Sequence, residues 1–266
     1  MAASKDPRDP RDTRLVLHRP QSAENVGAVA RIMKNFGFAR LSVVEPPAWS
    51  GPPRGGGPGT ARADVLARAR RTARKASELL EAAEFHGDLR GALGGATWVC
   101  GTTSRAVAGR PGLDPRALGA EVARRSAAGE VAIVFGEERR GLSDAELSLC
   151  QAVCTIPTEA AYDSMNLAQA VAVVTWEIAQ AARTGEPAAA PGERSEPARH
   201  ETVEALWDHA RALLSAAGFL NPQSPELILA ELRRVLARAE PTQREAELLA
   251  GAIRALERIV RQRGGA

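Results

Sequence analysis

The chain has 266 residues, 44% of them hydrophobic, and a formal net charge of +3 at pH 7. This length predicts one large domain, or a domain of about 150–200 residues with a small appendage, and the hydrophobic content is enough for a sizeable core. No apolar run approaches the ~20 residues of a membrane span, and residues 1–13, charged and rich in proline, predict a disordered tail rather than a secretory signal.

Strands and helices alternate along the first part of the chain. Residues 13–20 are typical of a short buried strand, residues 22–38 of an amphipathic helix, and residues 39–47 of a second strand ended by proline. Residues 50–60, rich in glycine and proline, predict a flexible loop. Residues 62–83 predict a helix, because apolar residues at spacings of three and four mark a buried face: Leu66, Ala69, Ala73, Ala76 and Leu80.

The alternation continues through the middle of the chain. Strands are predicted over residues 96–105, 130–135 and 151–157, and helices over residues 115–128 and 164–183. Ser143 and Glu146 have the spacing of a capping box, which predicts a short helix starting there. Strands alternating with helices predict an α/β domain, here residues 14–183, with a parallel sheet.

The last part of the chain has a different character. Residues 184–198 contain three prolines and no hydrophobic period, which is typical of an interdomain linker. Helical patterns follow over residues 199–217, 224–238 and 242–262, and Thr242 with Glu245 forms another capping box. Residues 199–266 therefore predict a small all-α C-terminal extension.

Three loops at the carboxyl ends of predicted parallel strands are candidates for ligand binding, because α/β proteins bind ligands at that edge. They are residues 101–105, 136–142 and 156–167. Each offers glycine or backbone amides with small hydroxyl or amide side chains, groups that could hold a nucleoside. The chain has neither a G-x-x-x-x-G-K-[ST] nor a G-x-G-x-x-G motif, which argues against a P-loop and a standard dinucleotide site.

The cysteines and histidines argue against disulfides and metals. Three cysteines cannot form an even disulfide framework, and Cys100 and Cys154 end apolar runs, as reduced buried thiols do. The histidines are scattered, and none follows a predicted strand end near the three loops. We therefore expect no metal site and a cytosolic location.

Three stretches resemble the SPOUT class of RNA methyltransferases. The first contains Asn25, Gly27, Ala28 and Arg31, followed by residues 34–38. The second contains Phe135, Gly136, Glu138, Gly141 and Leu142. The third contains Ile156 and Pro157, then residues 164–171, with Met165 where the class more often has leucine.

Residues 218–258 resemble the helical extension of the TrmJ subfamily within that class. The subfamily methylates the ribose 2′-hydroxyl of a pyrimidine at position 32 in the tRNA anticodon loop. The resemblance therefore implies a tRNA (cytidine/uridine-2′-O-)-methyltransferase that uses S-adenosylmethionine. Two alternatives remain: a ribosomal RNA 2′-O-methyltransferase of the same class, and a catalytically idle RNA-binding homologue.

The resemblance also implies a structure that pattern reasoning would not propose. SPOUT domains contain a deep trefoil knot, here expected in about residues 131–183, and the loops of the knot hold the cofactor. They act as homodimers with sites at the subunit interface. The apolar helix 166–183 is expected either to contribute to that interface or to serve only as core of one subunit.

By the same resemblance, specific residues are expected at the site. The catalytic set is Arg31, Asn25, Glu138, Ser164 and Asn166, with Arg31 binding a phosphate and stabilising the incipient alkoxide. The alternative for Arg31 is an ion pair with Glu138, and for Ser164 and Asn166 it is simple helix capping. Cofactor contacts are expected from Thr102, Thr103, Ser104, Gly136, Ile156, Ser164, Met165, Asn166 and Leu167; an ordinary polar turn is the alternative for residues 102–104.

Basic residues indicate where RNA would bind. They are concentrated between Arg62 and Lys75, where Asp64 is the only acidic residue. Solvated surface charge is the alternative for any one of them, but as a set they would make RNA binding depend steeply on salt. The expected RNA contacts are Arg31, Arg68, Arg71, Lys75, Arg105, Arg139 and Arg140.

Overall fold

A computed structural model of the protein describes residues 9–46, 58–105, 107, 109–159, 165–184 and 196–264. The chain divides into two compact units. The first consists of Met1–Leu93 and Trp98–Pro191, and the second of Gly94–Thr97 and Gly192–Ala266. Residues 1–8 of the predicted tail and residues 185–195 of the predicted linker lie outside the described residues.

The first unit contains a seven-stranded, fully parallel sheet, which confirms the predicted fold class. The strands in chain order are β1 (Arg14–His18), β2 (Leu41–Val44), β3 (Glu84–His86), β4 (Trp98–Thr102), β5 (Gly112–Leu113), β6 (Val131–Phe135) and β7 (Ala152–Cys154). Their spatial order is β3-β2-β1-β6-β4-β7-β5. The four long apolar strands β1, β2, β4 and β6 occupy the centre, and the unpredicted strands β3 and β5 lie at the two edges.

Helices cover the sheet. They are α1 (Ala23–Phe36), α2 (Pro58–Ala73), α3 (Ser77–Glu81), α4 (Leu89–Leu93), α5 (Pro115–Ser126), α6 (Asp144–Leu147) and α7 (Leu167–Thr184). A 3-10 turn, Pro10–Asp12, precedes β1, and Thr13 is buried. The predicted disordered tail therefore does not reach residue 13, because the Asp9 side chain caps this turn.

The helix predicted over residues 62–83 is interrupted. A 3-10 turn, Arg74–Ala76, separates α2 from α3, and Arg74 has a positive φ of 55°. The predicted face is nevertheless buried at Ala69, Ala73, Ala76 and Leu80. Leu66 is only half-buried, and its neighbour Val65 takes the core position.

The main core lies between the sheet and helices α1, α2, α5 and α7. Leu15, Leu17 and Ile133 from the sheet pack against residues such as Val26 of α1 and Val171 of α7. The apolar helix predicted over residues 164–183 is thus part of the core of the first unit, with its first described helical residue at Leu167. Within the described residues, no helix is long and apolar enough to cross a membrane.

The second unit holds three helices, α8 (His200–Ala216), α9 (Pro225–Ala239) and α10 (Gln243–Gly264). Its core includes Leu206, Trp207 and Leu229. Glu204 is 4% exposed and is paired with Arg233, whose guanidinium lies 5.2 Å from the centre of the Trp207 ring. The predicted capping box is present before α10, since Thr242 N donates to Glu245 Oε2 at 2.8 Å and Glu245 N to Thr242 Oγ1 at 3.3 Å.

Candidate active site

The three candidate loops follow three neighbouring strands. β6, β4 and β7 are adjacent in the sheet, so the loops that begin at Gly136, Thr103 and Thr155 leave the same edge side by side. Thr103 N donates to Cys154 O at 3.0 Å, and Thr102 Oγ1 donates to Val134 O at 3.1 Å. The sheet therefore brings together three segments that are far apart in sequence.

The loop after β6 is a closed turn. A side chain at Gly136 would place its Cβ 2.4 Å from the backbone carbon of Gly141, so only glycine fits there. Gly141 N donates to Glu137 O at 2.7 Å, and Gly141 itself has a φ of 65° that favours glycine. The predicted capping box then starts α6, since Ser143 and Glu146 exchange both hydrogen bonds. Glu138 lies on the turn between Gly136 and Gly141.

Glu138 is held by the segment that leads into α1. Its Oε2 accepts a hydrogen bond from Gln21 N at 2.7 Å, and its Oε1 accepts one from Asn25 Nδ2 at 2.9 Å. Asn25 lies in the first turn of α1, where its own N–H donates to the capping hydroxyl of Ser22 at 3.2 Å. The first and second motifs are therefore joined through a carboxylate.

Asn166 connects the third motif to the same group. Its Nδ2 donates to Asn25 Oδ1 at 3.2 Å, and its Oδ1 accepts from Ala168 N at 2.9 Å at the start of α7. Because a carboxylate can only accept, Glu138 sets which way the Asn25 amide faces, and Asn25 in turn faces Asn166. Asn166 caps α7, as expected from the helix-capping alternative. It also forms a hydrogen-bonded network with Asn25 and Glu138.

The other predicted cofactor residues lie on the same three loops. Ile156 and Met165 are half-buried, Leu167 is buried, and Ser104 is exposed. Thr103 Oγ1 accepts from Arg105 N at 3.2 Å, as in an ordinary polar turn. Ser164 lies outside the described residues.

Arg31 lies apart from the network. Its side chain is exposed on α1 and makes no hydrogen bond or ion pair with the part of the chain that the structure describes. Glu138 bonds to Gln21 and Asn25 instead, so the alternative of an Arg31–Glu138 ion pair is not found among the described residues.

The predicted RNA-binding residues are exposed but not equivalent. On and beside α2, Arg68 and Lys75 are exposed, and the side chain of Arg71 is 83% exposed with Glu24 3.9 Å away. Arg139 and Arg140 are exposed on the turn that carries Glu138. Arg105, by contrast, forms an ion pair with Asp144.

One side chain near the site was missed by the sequence analysis. His18 is the last residue of β1, is buried, and places Nε2 2.7 Å from Glu146 Oε1. The expectation that no histidine follows a strand end near the loops is therefore wrong. The capping box located Glu146, but the sequence carried no signal that β1 would lie beside β6.

All three cysteines are free and buried, as predicted for Cys100 and Cys154. Burial raises the pKa of the Cys150 and Cys154 thiols to about 12, so both remain protonated and inert near neutral pH. Within the described residues, no group of three or more histidine, cysteine, aspartate or glutamate side chains could hold a metal ion.

Comparisons with known proteins cover almost the whole chain. Residues 12–176 match the SpoU rRNA methylase family, and residues 201–265 match the C-terminal domain of tRNA methyltransferase TrmJ. The tRNA (cytidine/uridine-2′-O-)-methyltransferase TrmJ of Yersinia pestis (strain Pestoides F) is 33% identical over 249 residues, which are 92% of this chain and 91% of that protein.

Two further relatives agree with this match. The tRNA (cytidine/uridine/adenosine-2′-O-)-methyltransferase TrmJ of Pseudomonas aeruginosa (strain UCBPP-PA14) is 33% identical over 258 residues, 93% of this chain and 95% of that protein. The crystal structure of TrmJ from Z. mobilis ZM4 superposes with a TM-score of 0.75 at 29% identity, over 92% of this chain and 99% of that chain.

Proposed function

The chain belongs to the SpoU rRNA methylase family, and from that membership we propose that it transfers a methyl group from S-adenosylmethionine to the ribose 2′-hydroxyl of a pyrimidine at position 32 in the tRNA anticodon loop. The observation that carries this proposal is the convergence of the loops after β4, β6 and β7 at one edge of the sheet, with Asn25, Glu138 and Asn166 joining the loops after β6 and β7 to the start of α1. The enzyme would act in the cytoplasm.

The C-terminal helices favour tRNA over ribosomal RNA as the substrate. Residues 201–265 match a domain named for a tRNA methyltransferase, and the relatives from Yersinia and Pseudomonas carry tRNA in their names. The idle-homologue alternative is disfavoured, because Asn25, Glu138 and Asn166 are not only present but form one bonded network.

The residues around the three loops fit S-adenosylmethionine. They offer backbone amides, hydroxyls and half-buried apolar side chains, such as Ile156 and Met165, and neutral donors and acceptors of this kind suit adenine and ribose. When bound, the cofactor supplies a methyl group activated by its sulfonium charge. Residues 102–104, Gly136, Ile156 and residues 164–167 would hold it, largely through backbone atoms.

The remaining chemistry concerns the ribose oxygen. A 2′-hydroxyl is a poor nucleophile at neutral pH, so holding it in line with the methyl group is the main task, and such positioning can be worth ~7–11 kcal/mol. A guanidinium keeps its proton, which makes Arg31 a poor general base. Arg31 instead would bind the adjacent phosphate and stabilise the developing alkoxide, and the phosphate or a water would take the proton.

The network of Glu138, Asn25 and Asn166 would hold the site in shape and would take no direct part in the reaction. Their hydrogen bonds join the turn after β6, the start of α1 and the start of α7. The network therefore holds the loops after β6 and β7 together with the start of α1 within one protomer.

The separate position of Arg31 fits a homodimer in which it serves the site of the partner. α1 and α7 pack against each other, and their outer side carries an apolar pair. Trp176 is 43% exposed and meets Phe36 edge-on with ring centres 5.8 Å apart. An exposed aromatic side chain is suited to a subunit interface, so α7 would contribute to both the core and the interface.

Two further parts of the chain would complete the enzyme. Residues 131–183 would form the trefoil knot, which is supported by the position of β7 on the far side of β4 from β6. The exposed arginines of α2, together with Arg139 and Arg140, would bind tRNA phosphates, and the C-terminal helices would contact tRNA outside the anticodon loop.

The direct test is to incubate the purified protein with methyl-labelled S-adenosylmethionine and a tRNA transcript, and to map the product by mass spectrometry. We expect one ribose methyl group at a pyrimidine 32. A matched transcript with a single 2′-deoxynucleotide at that position should accept no label. Equal labelling of both transcripts would refute ribose methylation at position 32, and labelling of ribosomal RNA alone would favour the alternative substrate.

A further inference from the structure

The buried His18 and the half-buried Glu146 form a pair at the edge of the sheet where the candidate site lies. His18 is 3% exposed, and its Nε2 lies 2.7 Å from Glu146 Oε1. β1 pairs with β6 as far as Leu17 and Phe135, so His18 stands beside Gly136, where the turn carrying Glu138 begins. The pair joins the end of β1 to α6, the helix that follows this turn.

The turn is thus attached to the segment 18–25 at both ends. Glu146 Oε1 meets His18, and Glu146 Oε2 accepts from Ser143 N at 2.7 Å, so the imidazole is linked to the cap of α6. At the other attachment Glu138 accepts from Gln21 N and Asn25 Nδ2. In both cases a carboxylate from the later segment binds a donor from the earlier one.

The backbone between these attachments is in an uncommon conformation. Arg19 has a φ of 51°, in the left-handed region that residues other than glycine rarely occupy. Its N–H donates to Val44 O at 2.9 Å, and its Nη1 lies 3.6 Å from Glu146 Oε1. Such a conformation persists only where the surrounding residues stabilise it. The turn of the backbone at Arg19 directs the chain so that the N–H of Gln21 reaches Glu138.

An imidazole suits this position. Its Nδ1 is buried and meets no hydrogen-bond partner among the described residues. The Nε2–H tautomer donates to Glu146 and leaves only an acceptor at Nδ1, which proteins tolerate without a partner more readily than a buried N–H donor. His18 therefore supplies one donor to the half-buried carboxylate of Glu146 and adds no second donor that would need a partner.

We propose that His18 is a positioning residue for methyl transfer, which holds Glu146 and, through the cap of α6, keeps the turn of Glu138 in the geometry that Gln21 and Asn25 require. Its effect on catalysis rests on the proposed function, whereas its effect on the turn does not. His18 touches neither the cofactor nor the RNA in this proposal and acts only through Glu146 and Glu138.

The test compares three variants. His18→Leu removes the donor and keeps an apolar side chain, and His18→Gln restores a donor of similar reach. His86→Gln is the matched control, because His86 ends β3 at the same edge of the sheet and lies 3.3 Å from its own carboxylate, Glu84 Oε2, two strands away from His18. The readouts are single-turnover methyl transfer to tRNA, the Kd for S-adenosylmethionine, and hydrogen exchange of the Gln21 amide.

We expect His18→Leu to slow methyl transfer about tenfold, since misplacement by less than an ångström at a reacting centre has effects of this size. The Kd for S-adenosylmethionine should stay within about twofold, and the Gln21 amide should exchange at least about fivefold faster because its acceptor is no longer held. His18→Gln should restore both the rate of methyl transfer and the slow exchange of the Gln21 amide. His86→Gln should match the unsubstituted protein in both measurements.

Unchanged transfer and unchanged Gln21 exchange in His18→Leu would overturn the proposal, as would equal impairment by Leu and Gln, which would indicate volume rather than a donor. A third outcome separates the two proposals: neither the unsubstituted protein nor any variant methylates tRNA, but Gln21 exchange changes as expected. The proposed function is then wrong, whereas the proposal that His18 stabilises the turn carrying Glu138 is supported. Should His18→Leu not fold, His18→Asn replaces it, because its shorter amide stays polar without reaching Glu146.

Discussion

Glu138 is the residue on which the geometry of the candidate site depends. It accepts hydrogen bonds from Gln21 N and Asn25 Nδ2, and Asn25 passes the orientation on to Asn166. All three motif residues were predicted from the resemblance, but their roles as cofactor or catalytic groups stay predictions. What the structure adds is the direction of each hydrogen bond, which follows from the fact that a carboxylate cannot donate.

Glu138→Gln should therefore be disruptive although it preserves shape. A glutamine has one accepting oxygen, so either Gln21 N or Asn25 Nδ2 would face an NH2 group and lose its partner. We expect methyl transfer to fall by about 10–100-fold and the free energy of unfolding to drop by about 1–3 kcal/mol, as measured by single-turnover assays and urea unfolding. Glu137→Gln is the control, and equal effects of the two substitutions would contradict this role.

Glu146 gives a prediction about pH. Burial raises the pKa of this carboxyl, but hydrogen bonds from Ser143 and His18 outweigh burial, so its pKa lies below the ordinary value of 4.5. A carboxyl with a lowered pKa stabilises the fold above its unfolded pKa and loses that contribution as pH falls through the folded value.

The difference in unfolding free energy between the unsubstituted protein and Glu146→Gln should therefore shrink as the pH falls below about 4.5. Urea unfolding at a series of pH values measures this difference. A difference that does not shrink below about pH 4.5 would show that the fold does not stabilise the ionised carboxylate.

At the scale of elements, the contact between α1 and α2 depends on Gly27. A Cβ on this residue would lie 2.1 Å from Ala69 O and 2.2 Å from Thr72 Oγ1, so the two helices touch through the glycine backbone. α1 carries both Asn25 and Arg31, and α2 carries predicted RNA contacts. Gly27 therefore determines how closely α1 and α2 approach each other.

Gly27→Ala should separate these helices. Because the obstacle is a backbone carbonyl that cannot rotate away, we expect a loss of about 1–3 kcal/mol in unfolding free energy, together with weaker methyl transfer. Gly251→Ala in α10 is the matched control, since nothing lies within 4 Å of its Cβ position, and alanine there should stabilise by about 0.5–1 kcal/mol. Destabilisation by both substitutions would show that the close approach of α1 and α2 is not the cause.

The predictability of each element followed its length and periodicity. The long apolar strands and the helices α1, α5 and α7 were anticipated, and so were both capping boxes, because local side-chain patterns specify them. β3 and β5 are three and two residues long and carry no alternation. The break at Arg74 and the contact of His18 with Glu146, 128 residues away, depend on tertiary neighbours that no local pattern shows.

At the scale of the whole molecule, the groups of the proposed site lie in two separate positions. One protomer joins Glu138, Asn25 and Asn166, while Arg31 stays exposed elsewhere on α1. If a symmetric dimer completes the site, each site takes its arginine from one protomer and its network from the other.

Mixed dimers test this arrangement. Arg31→Ala and Glu138→Ala should each be inactive alone, but a dimer of one of each would hold one complete site. After unfolding and refolding an equimolar mixture, about a quarter of the original activity should return, since half of the dimers are mixed and each has one of its two sites intact. No recovery from a mixture shown to contain mixed dimers would place both groups in the same protomer's site.

The central claim is that methyl transfer needs the Arg31 guanidinium in addition to loops that bind the methyl donor independently of it. Measuring single-turnover transfer to tRNA and the Kd for S-adenosylmethionine on Arg31→Ala tests this claim most directly. The account predicts that transfer falls by at least about a hundredfold while the Kd for the donor stays within about twofold. Unchanged transfer, or a loss of transfer explained entirely by lost donor binding, would contradict it.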